Sequence, residues 1–510
     1  MSSLPRDRRA GILLHPTSLP GPHGVGDLGA GAHRFAAWLG EAGQRLWQVL
    51  PLGPTGFGDS PYQALSSRAG NPLLVSLETL RNEGWLDDAE LAGAPAEDPS
   101  RAAYEQAGPW KRDRLARAAG AFQARAGAES RAELEAFRAR EADWLEDWAL
   151  FAVLKHAHED RPWTRWAGPL ARREPAALDA ARARYASEIS AEVFAQWCFA
   201  RQWDALRARC RALGIALLGD VPIYVAHDSV EVWSRPELFR LDARGEPAAV
   251  AGVPPDYFSA SGQLWGNPLH DWDAVARDGW RSWIARIRGA LAQVDRIRLD
   301  HFRGFEAYWE IPAGAATAEA GRWVPGPGAR LFEALEAALG PLPFLAENLG
   351  VITPEVEALR RRFRFPGMAV LQFAFGNDPQ APTFQPHNYE RDTVAYTGTH
   401  DNDTVMGWWE GGAGDSIRTP EDVAREKARA RAYLATDGAE MSWVLVRAVL
   451  ASVADTAVVP LQDVLGLGSS ARMNTPATLG GNWRWRVRAE ALTPELAARL
   501  RALTELYGRA

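Results

Sequence analysis

Short apolar runs alternate with longer polar stretches along most of the chain. Eight of the runs are brief, and all but 294–299, which carries Asp295, Arg296 and Arg298 among its apolar positions, are free of charge: residues 12–14, 46–50, 215–218, 294–299, 343–345, 368–373, 393–396 and 457–459. Runs of this length, rich in Val, Ile, Leu and Phe, read as strands buried on both faces. Between most of them the apolar residues recur at helical spacing, as over residues 33–43, 330–339 and 354–363. Two helix starts are marked by Thr353-Pro354-Glu355 and Thr419-Pro420-Glu421-Asp422, each with a hydroxyl at the N-cap, proline at the first position and acids in the first turn. Alternating strands and helices imply a parallel α/β architecture. Eight such units favour a closed (β/α)8 barrel, in which sites form at the C-terminal strand ends.

The spacing is uneven. The second and third runs end and begin at Leu50 and Ile215, far beyond an ordinary βα unit. Residues 85–211 are rich in Ala, Arg, Glu and Leu, with few turn signals between Gly127 and Pro162, and read as a helical insertion on the barrel rim. Residues 226–272, rich in Gly, Pro, Ser and Trp, read as a second insertion, a loop lying over the site. The whole chain, residues 1–510, is then one barrel carrying both.

Composition narrows the function. The 510 residues are 47% hydrophobic with a net charge of −7, enough apolar material for a large core and no basic stripe for nucleic acid. The first residues are polar, and no later run approaches membrane-spanning length. The two cysteines, Cys198 and Cys210, fit no zinc spacing and read as reduced buried thiols, so a cytoplasmic location and no membrane partner are expected. The 22 Trp are mostly core, with a minority suited to stacking on sugar rings.

Four apolar runs end in polar clusters: Gly219-Asp220-Val221-Pro222, Arg298-Leu299-Asp300-His301, Leu345-Ala346-Glu347-Asn348 and Gly398-Thr399-His400-Asp401. Strand alternation puts Arg298 and Asp300 on one face. A guanidinium beside Asp300 favours its carboxylate, as a nucleophile requires, although a buried structural ion pair has the same local signature. Glu347 ends an apolar strand with no cation beside it in sequence. Desolvation there raises a carboxyl pKa and suits a proton donor; an acid preceding the helix that starts at Pro354 is the structural alternative. Asp220 reads equally as a loop-capping acid or a site residue. His400-Asp401-Asn402-Asp403 offers closely spaced oxygens, but only two carboxylates and no glycine where a calcium loop needs one, so no metal is expected. Carboxylates delivered by successive strands point to acid, base and nucleophile chemistry, most often on a sugar.

Longer motifs make the pattern specific. Arg298-Leu299-Asp300-His301-Phe302-Arg303-Gly304, Ala346-Glu347-Asn348-Leu349-Gly350 and Gly398-Thr399-His400-Asp401-Asn402-Asp403-Thr404 resemble the α-amylase clan. With Asp59-Ser60-Pro61-Tyr62-Gln63, Asp220-Val221-Pro222-Ile223-Tyr224, Gly262-Gln263-Leu264-Trp265-Gly266-Asn267-Pro268 and Ala471-Arg472-Met473-Asn474-Thr475-Pro476, the chain is most similar to the 4-α-glucanotransferases, also called amylomaltases or disproportionating enzymes. The resemblance implies a retaining double displacement that moves α-1,4-glucan segments from maltooligosaccharides, starch or glycogen to glucose or another glucan, with no cofactor. It implies Asp300 as nucleophile, Glu347 as acid/base and Asp401 as transition-state stabiliser. Ser60, Tyr62, Asp220, Gln263, Trp265, Arg298, His400 and Asn474 fall on sugar-binding positions of the family, and residues 258–268 on a loop that holds the acceptor and excludes water. An α-glucan hydrolase on the same barrel and an inactive glucan-binding protein are the alternatives. The transferase-like loop and the Asn474 motif oppose the first, and the intact carboxylates the second. Three positions depart from the family pattern. Asn348 stands where Asp is common, which would lower the pKa of Glu347. Ser261 stands for Thr and His270 for Tyr.

Overall fold

The computed structural model describes residues 8–95, 98–255, 261–411, 419–478 and 480–510. Its centre is an eight-stranded parallel sheet. In chain order the strands of the molecule are β1 Arg9–Leu13, β2 Leu46–Gln48, β3 Ala216–Pro222, β4 Ala249–Val253, β5 Gln263–Pro268, β6 Arg296–Asp300, β7 Ala307–Pro312, β8 Arg322–Pro325, β9 Phe344–Ala346, β10 Gly367–Val370, β11 Thr393–Tyr396 and β12 Thr456–Pro460. The central sheet runs β10-β11-β12-β1-β2-β3-β6-β9, every pair parallel. Each of the eight apolar runs contributes one of these strands. Val, Leu and Ile from them, among them Ile12, Leu217, Ile297 and Val458, are fully buried.

The sheet curls until β9 meets β10. No ladder forms there; the main-chain link is the Ala346 N–H donating to Pro366 O at 2.9 Å. Inside the barrel, the Tyr396 hydroxyl donates to Gln48 Oε1 at 2.9 Å. The crossover helices cover the outside, including Ala30–Glu41, Ala329–Leu339 and Pro354–Arg362, close to the periodic segments of the sequence. At the second marked helix start, Thr419 forms a reciprocal capping box with Asp422. Thr353 makes no side-chain cap on its helix.

Between β2 and β3 the chain forms a series of helices, from Tyr104–Arg125 to the long Ala186–Ala212. Gln196 and Gln202 on the long helix each pair with one backbone residue of the barrel side, Gly70 and Ser76, through two hydrogen bonds apiece. Cys198 and Cys210 lie buried in the same helix and are unpaired. Residues 226–272 depart from the loop expected of them. They hold the helix Val230–Ser234 and two strands, β4 and β5, which join β7 and β8 in an antiparallel sheet ordered β5-β4-β7-β8. Gly252 and Gly266 lie inside β4 and β5 and Pro268 ends β5, so composition suggested loop where short hairpin strands form. Among the described residues no helix is long and apolar enough to cross a membrane.

Candidate active site

The charged strand ends converge at the C-terminal mouth of the barrel. Parallel pairing sets Asp220 opposite Arg298 and Pro222 opposite Asp300, and sets Leu299 opposite Ala346. Asp300 and Glu347 therefore follow one another across neighbouring strand ends. Arg298 is almost fully buried and bridges two acids, 2.6 Å from Asp220 Oδ2 and 2.9 Å from Asp300 Oδ1. Burial opposes its charge, but Asp220 and Asp300 hold the guanidinium protonated well above the ordinary arginine range.

Glu347 is fixed by main-chain donors. Its Oε2 accepts from His301 N at 2.7 Å and its Oε1 from Leu349 N at 2.9 Å. His301 directly follows Asp300, and its backbone adopts a left-handed conformation with φ of 53°. For a residue with a side chain this conformation is uncommon, and it is what turns the amide toward Glu347. Glu347 keeps some exposure toward the cleft, yet loss of solvation pushes its carboxyl up to about 7. The nearby Asp300 charge adds to this; Arg298 and the two amide donors oppose it. A cation does reach Glu347, contrary to the sequence expectation, because Arg298 comes from the neighbouring strand, but burial outweighs it. Asp220, deeper still, is likewise pushed up to about 7 by burial and by Asp300, against Arg298 and Tyr62.

One wall of the mouth is a polar and aromatic shelf. The Tyr62 hydroxyl donates to Asp220 Oδ2 at 2.8 Å, and its ring stacks on His400 with centroids 5.1 Å apart and planes 15° apart. Ser60 caps the turn that carries Tyr62, its Oγ accepting from Tyr62 N at 3.2 Å. His400 Nε2 lies 3.4 Å from Asp401 Oδ2, and Asn474 Nδ2 donates to Asp401 Oδ1 at 2.7 Å. Burial holds the His400 imidazole below its ordinary range, although Asp401 pulls the other way. Asn402 and Asp403 spend their oxygens locally, on Thr399 and on Thr404 and Ser469.

Beside His301, Trp265 Nε1 donates to Gln263 Oε1 at 3.1 Å, and the indole meets the His301 ring edge-on at 4.8 Å. Gln63 Nε2 donates to Asn267 Oδ1 at 3.2 Å, tying the Tyr62 turn to β5. His270 is buried among Phe239, Trp272 and Trp283. Burial drives it down to about 3, so it is neutral and donates through Nε2 to Ile223 O at 3.0 Å. Ser261 is exposed, and residues 258–260 of the expected acceptor loop lie outside the described residues.

Contacts thus link all of the sequence-derived candidates into one cluster, Gln263 and Trp265 through His301. Trp483 was missed. Its ring lies 5.9 Å from both Tyr62 and His400, carried by a turn with left-handed Gly480 and Gly481. The Gly480-Gly481-Asn482-Trp483 string was the available signal: two turn glycines and an Asn delivering an aromatic beside the Asn474 motif.

The family profile described as 4-alpha-glucanotransferase matches residues 14–493. A 4-alpha-glucanotransferase of Thermus thermophilus is 52% identical over 510 residues, covering 98% of this chain and 99% of its own. One from Synechocystis is 48% identical, covering 98% of each chain. Among solved structures, the amylomaltase from Streptococcus agalactiae in complex with acarbose superposes with a TM-score of 0.93 at 38% identity, over 99% of this chain and 100% of that one. With a match along nearly its whole length, the chain belongs to the 4-alpha-glucanotransferase family and is an enzyme of that family.

Proposed function

We propose that this enzyme moves α-1,4-glucan segments between maltooligosaccharides by a retaining double displacement. The observation that carries the reading is the pairing of Asp300 with Arg298 on one strand and a recessed Glu347 on the next, raised to about 7 and joined to Asp300 through the His301 amide. One carboxylate has a permanent counter-ion beside it; the other is poised to carry a proton at neutral pH. Environments that differ in this way divide acid from nucleophile.

In the first half-reaction Glu347 gives its proton to the glycosidic oxygen, the C1–O bond breaks, and an Asp300 oxygen bonds to C1. The reducing-end fragment leaves with a free 4-hydroxyl. In the second, Glu347 takes the proton from the 4-hydroxyl of glucose or another glucan, and that oxygen displaces Asp300 from C1. Two inversions restore the α-linkage. Asp401, held by Asn474 and His400, faces the sugar undergoing reaction, Tyr62 stacks on its ring, and Ser60, Asp220, Gln263 and Trp265 contact flanking glucose units. The segment after β3, with residues 258–268, holds the acceptor in place of water, which is how an alcohol outcompetes a solvent in great excess. Cyclic glucans form when the acceptor is the far end of the bound chain. The helices between β2 and β3 form a rim lobe over the same mouth. A cytoplasmic location belongs to the same reading, supported by the two unpaired buried thiols.

The test uses the Glu347→Gln variant with α-maltotriosyl fluoride, whose leaving group needs no proton. The first step then proceeds while the second lacks its base. A maltotriosyl adduct mapped to Asp300 by mass spectrometry is the expected result. Fluoride release with a β-configured product and no adduct would mean an inverting enzyme.

A further inference from the structure

The barrel has one seam without a ladder, between β9 and β10, and Glu347 stands at its edge. Beyond the single Ala346-to-Pro366 bond, the next link across the seam is a side chain. Asn348 Oδ1 accepts from Met368 N at 2.8 Å, and Asn348 Nδ2 donates to Glu357 Oε1 at 2.8 Å. Only one orientation of the carboxamide satisfies both partners, because a main-chain N–H needs an oxygen and a carboxylate needs an N–H. Gly367 leaves room for it: a Cβ there would come within 3.0 Å of both Asn348 amide heteroatoms. Glu357 is in turn paired with Arg360 at 2.8 Å, and Arg360 is buried and donates to Phe365 O at 2.7 Å, in the turn that leads into β10. On the other side, Glu347 itself is tied to β6, its N–H to Leu299 O at 3.0 Å and its O to Phe302 N at 3.1 Å.

We infer that Asn348 is a positioning residue for the transfer reaction: its carboxamide replaces the missing ladder and fixes the strand end that presents Glu347. This rests on the reading of Glu347 as acid/base. An acid at 348 would still accept from Met368 but would set a like charge 2.8 Å from Glu357, so the two carboxylates would have to separate or share a proton. Asn348 is thus matched to Glu357, and the pair is expected to behave as a unit. The charged groups around it are Glu357, Arg360 and Arg361 on the helix Pro354–Arg362, Arg361 lying 3.6 Å from Glu357, then Glu390 and Asp392 beside Arg360 at 3.9 and 3.8 Å, and Arg298 and Asp300 on β6, which act on Glu347.

Four proteins test this: the parent, Asn348→Asp, Glu357→Gln, and the double variant, which exchanges donor and acceptor and leaves the total charge unchanged. Maltotriose disproportionation is followed for kcat, KM and the pH profile, with thermal unfolding in parallel. Asn348→Asp is expected to lower kcat about tenfold with KM within about twofold, since a strand end shifted by a fraction of an ångström misplaces the proton donor. The alkaline limb of its kcat profile should move upward, because the new negative charge holds the Glu347 proton. The double variant should recover kcat to within about threefold of the parent while the limb stays raised, since the pairing is restored and the charge remains. If Asn348→Asp alone fails to fold, the double variant should fold; a double variant that also fails overturns the inference. So does a double variant as slow as Asn348→Asp, or an Asn348→Asp protein with parental kcat. A Glu347→Gln protein with full activity would instead remove the reading of Glu347, whatever the four proteins show.

Discussion

Burying Glu347 has a cost in stability that can be removed and measured. Its carboxyl is raised from 4.5 to about 7 in the folded protein. A raised carboxyl pKa means the protonated form is favoured by folding. The associated stability is fully present below about pH 4.5 and is lost as pH rises through about 7. At 1.36 kcal/mol per pH unit, the ionised group costs at most ~3 kcal/mol at pH 8 and ~1 kcal/mol at pH 5. Its remaining exposure to the cleft makes these upper values. Glu347→Gln removes the charge but replaces one oxygen by an NH2 that cannot accept from either His301 N or Leu349 N, a loss of ~1 kcal/mol. The net gain is up to ~2 kcal/mol at pH 8 and about nil at pH 5. With an unfolding entropy near 2.1 cal/mol/K per residue, a chain of 510 residues changes its Tm by about 1 °C per kcal/mol. Calorimetry of the variant against the parent should therefore show a Tm higher by about 2 °C at pH 8 and unchanged at pH 5, alongside a loss of activity. An equal change at both pH values, or a lower Tm at pH 8, would refute burial as the cause of the raised pKa.

Other expectations follow from the same contacts. The kcat of the parent enzyme should fall as pH rises through about 7, because Glu347 must be protonated to release the leaving glucan; a plateau to pH 9 in stopped assays would contradict this. Arg298→Lys keeps a positive charge but not the fork that reaches Asp220 and Asp300 together, so kcat should fall by about a hundredfold or more in a folded protein, read by steady-state kinetics with circular dichroism as control. Far from the mouth, Arg509 is fully buried and donates to the carbonyls of Arg9, Leu450, Ser452, Ala454 and Asp455, joining the C-terminus to β1 and the approach to β12. Arg509→Ala removes these bonds; Leu450 O and Ser452 O keep Arg8 and Asp455 O keeps the Arg9 N–H, so stability should fall by ~2–3 kcal/mol, a Tm lower by a few degrees, with the kcat of the folded fraction unchanged.

Much of the barrel could be read from sequence because its strands are buried on both faces and so mostly appear as uninterrupted apolar runs. Glu347 stands out for the same reason, since the run before it carries no charge, whereas Asp300 closes a run that already holds Asp295, Arg296 and Arg298. Arg298 was placed with Asp300 by strand alternation, but its bond to Asp220 belongs to the pairing of β3 with β6, which no local pattern encodes. The rim sheet was illegible for a different reason. β4, β5, β7 and β8 are short, contain Gly and Pro, and are only partly buried, so neither alternation nor a continuous run develops. Trp483 and the seam at Asn348 also depend on partners distant in sequence or across a break in hydrogen bonding. Asn348 could be flagged as a departure from the family pattern, but its pairing with Met368 and Glu357 is visible only in three dimensions.

The central claim is that the glucosyl unit held on Asp300 is passed to a sugar hydroxyl and not to water. Incubation with maltotriose alone, following free glucose, product lengths and total reducing ends, tests it directly. Glucose together with a ladder of longer oligosaccharides at constant reducing ends is the result expected of transfer. Reducing ends that rise in step with product would show hydrolysis and contradict the account.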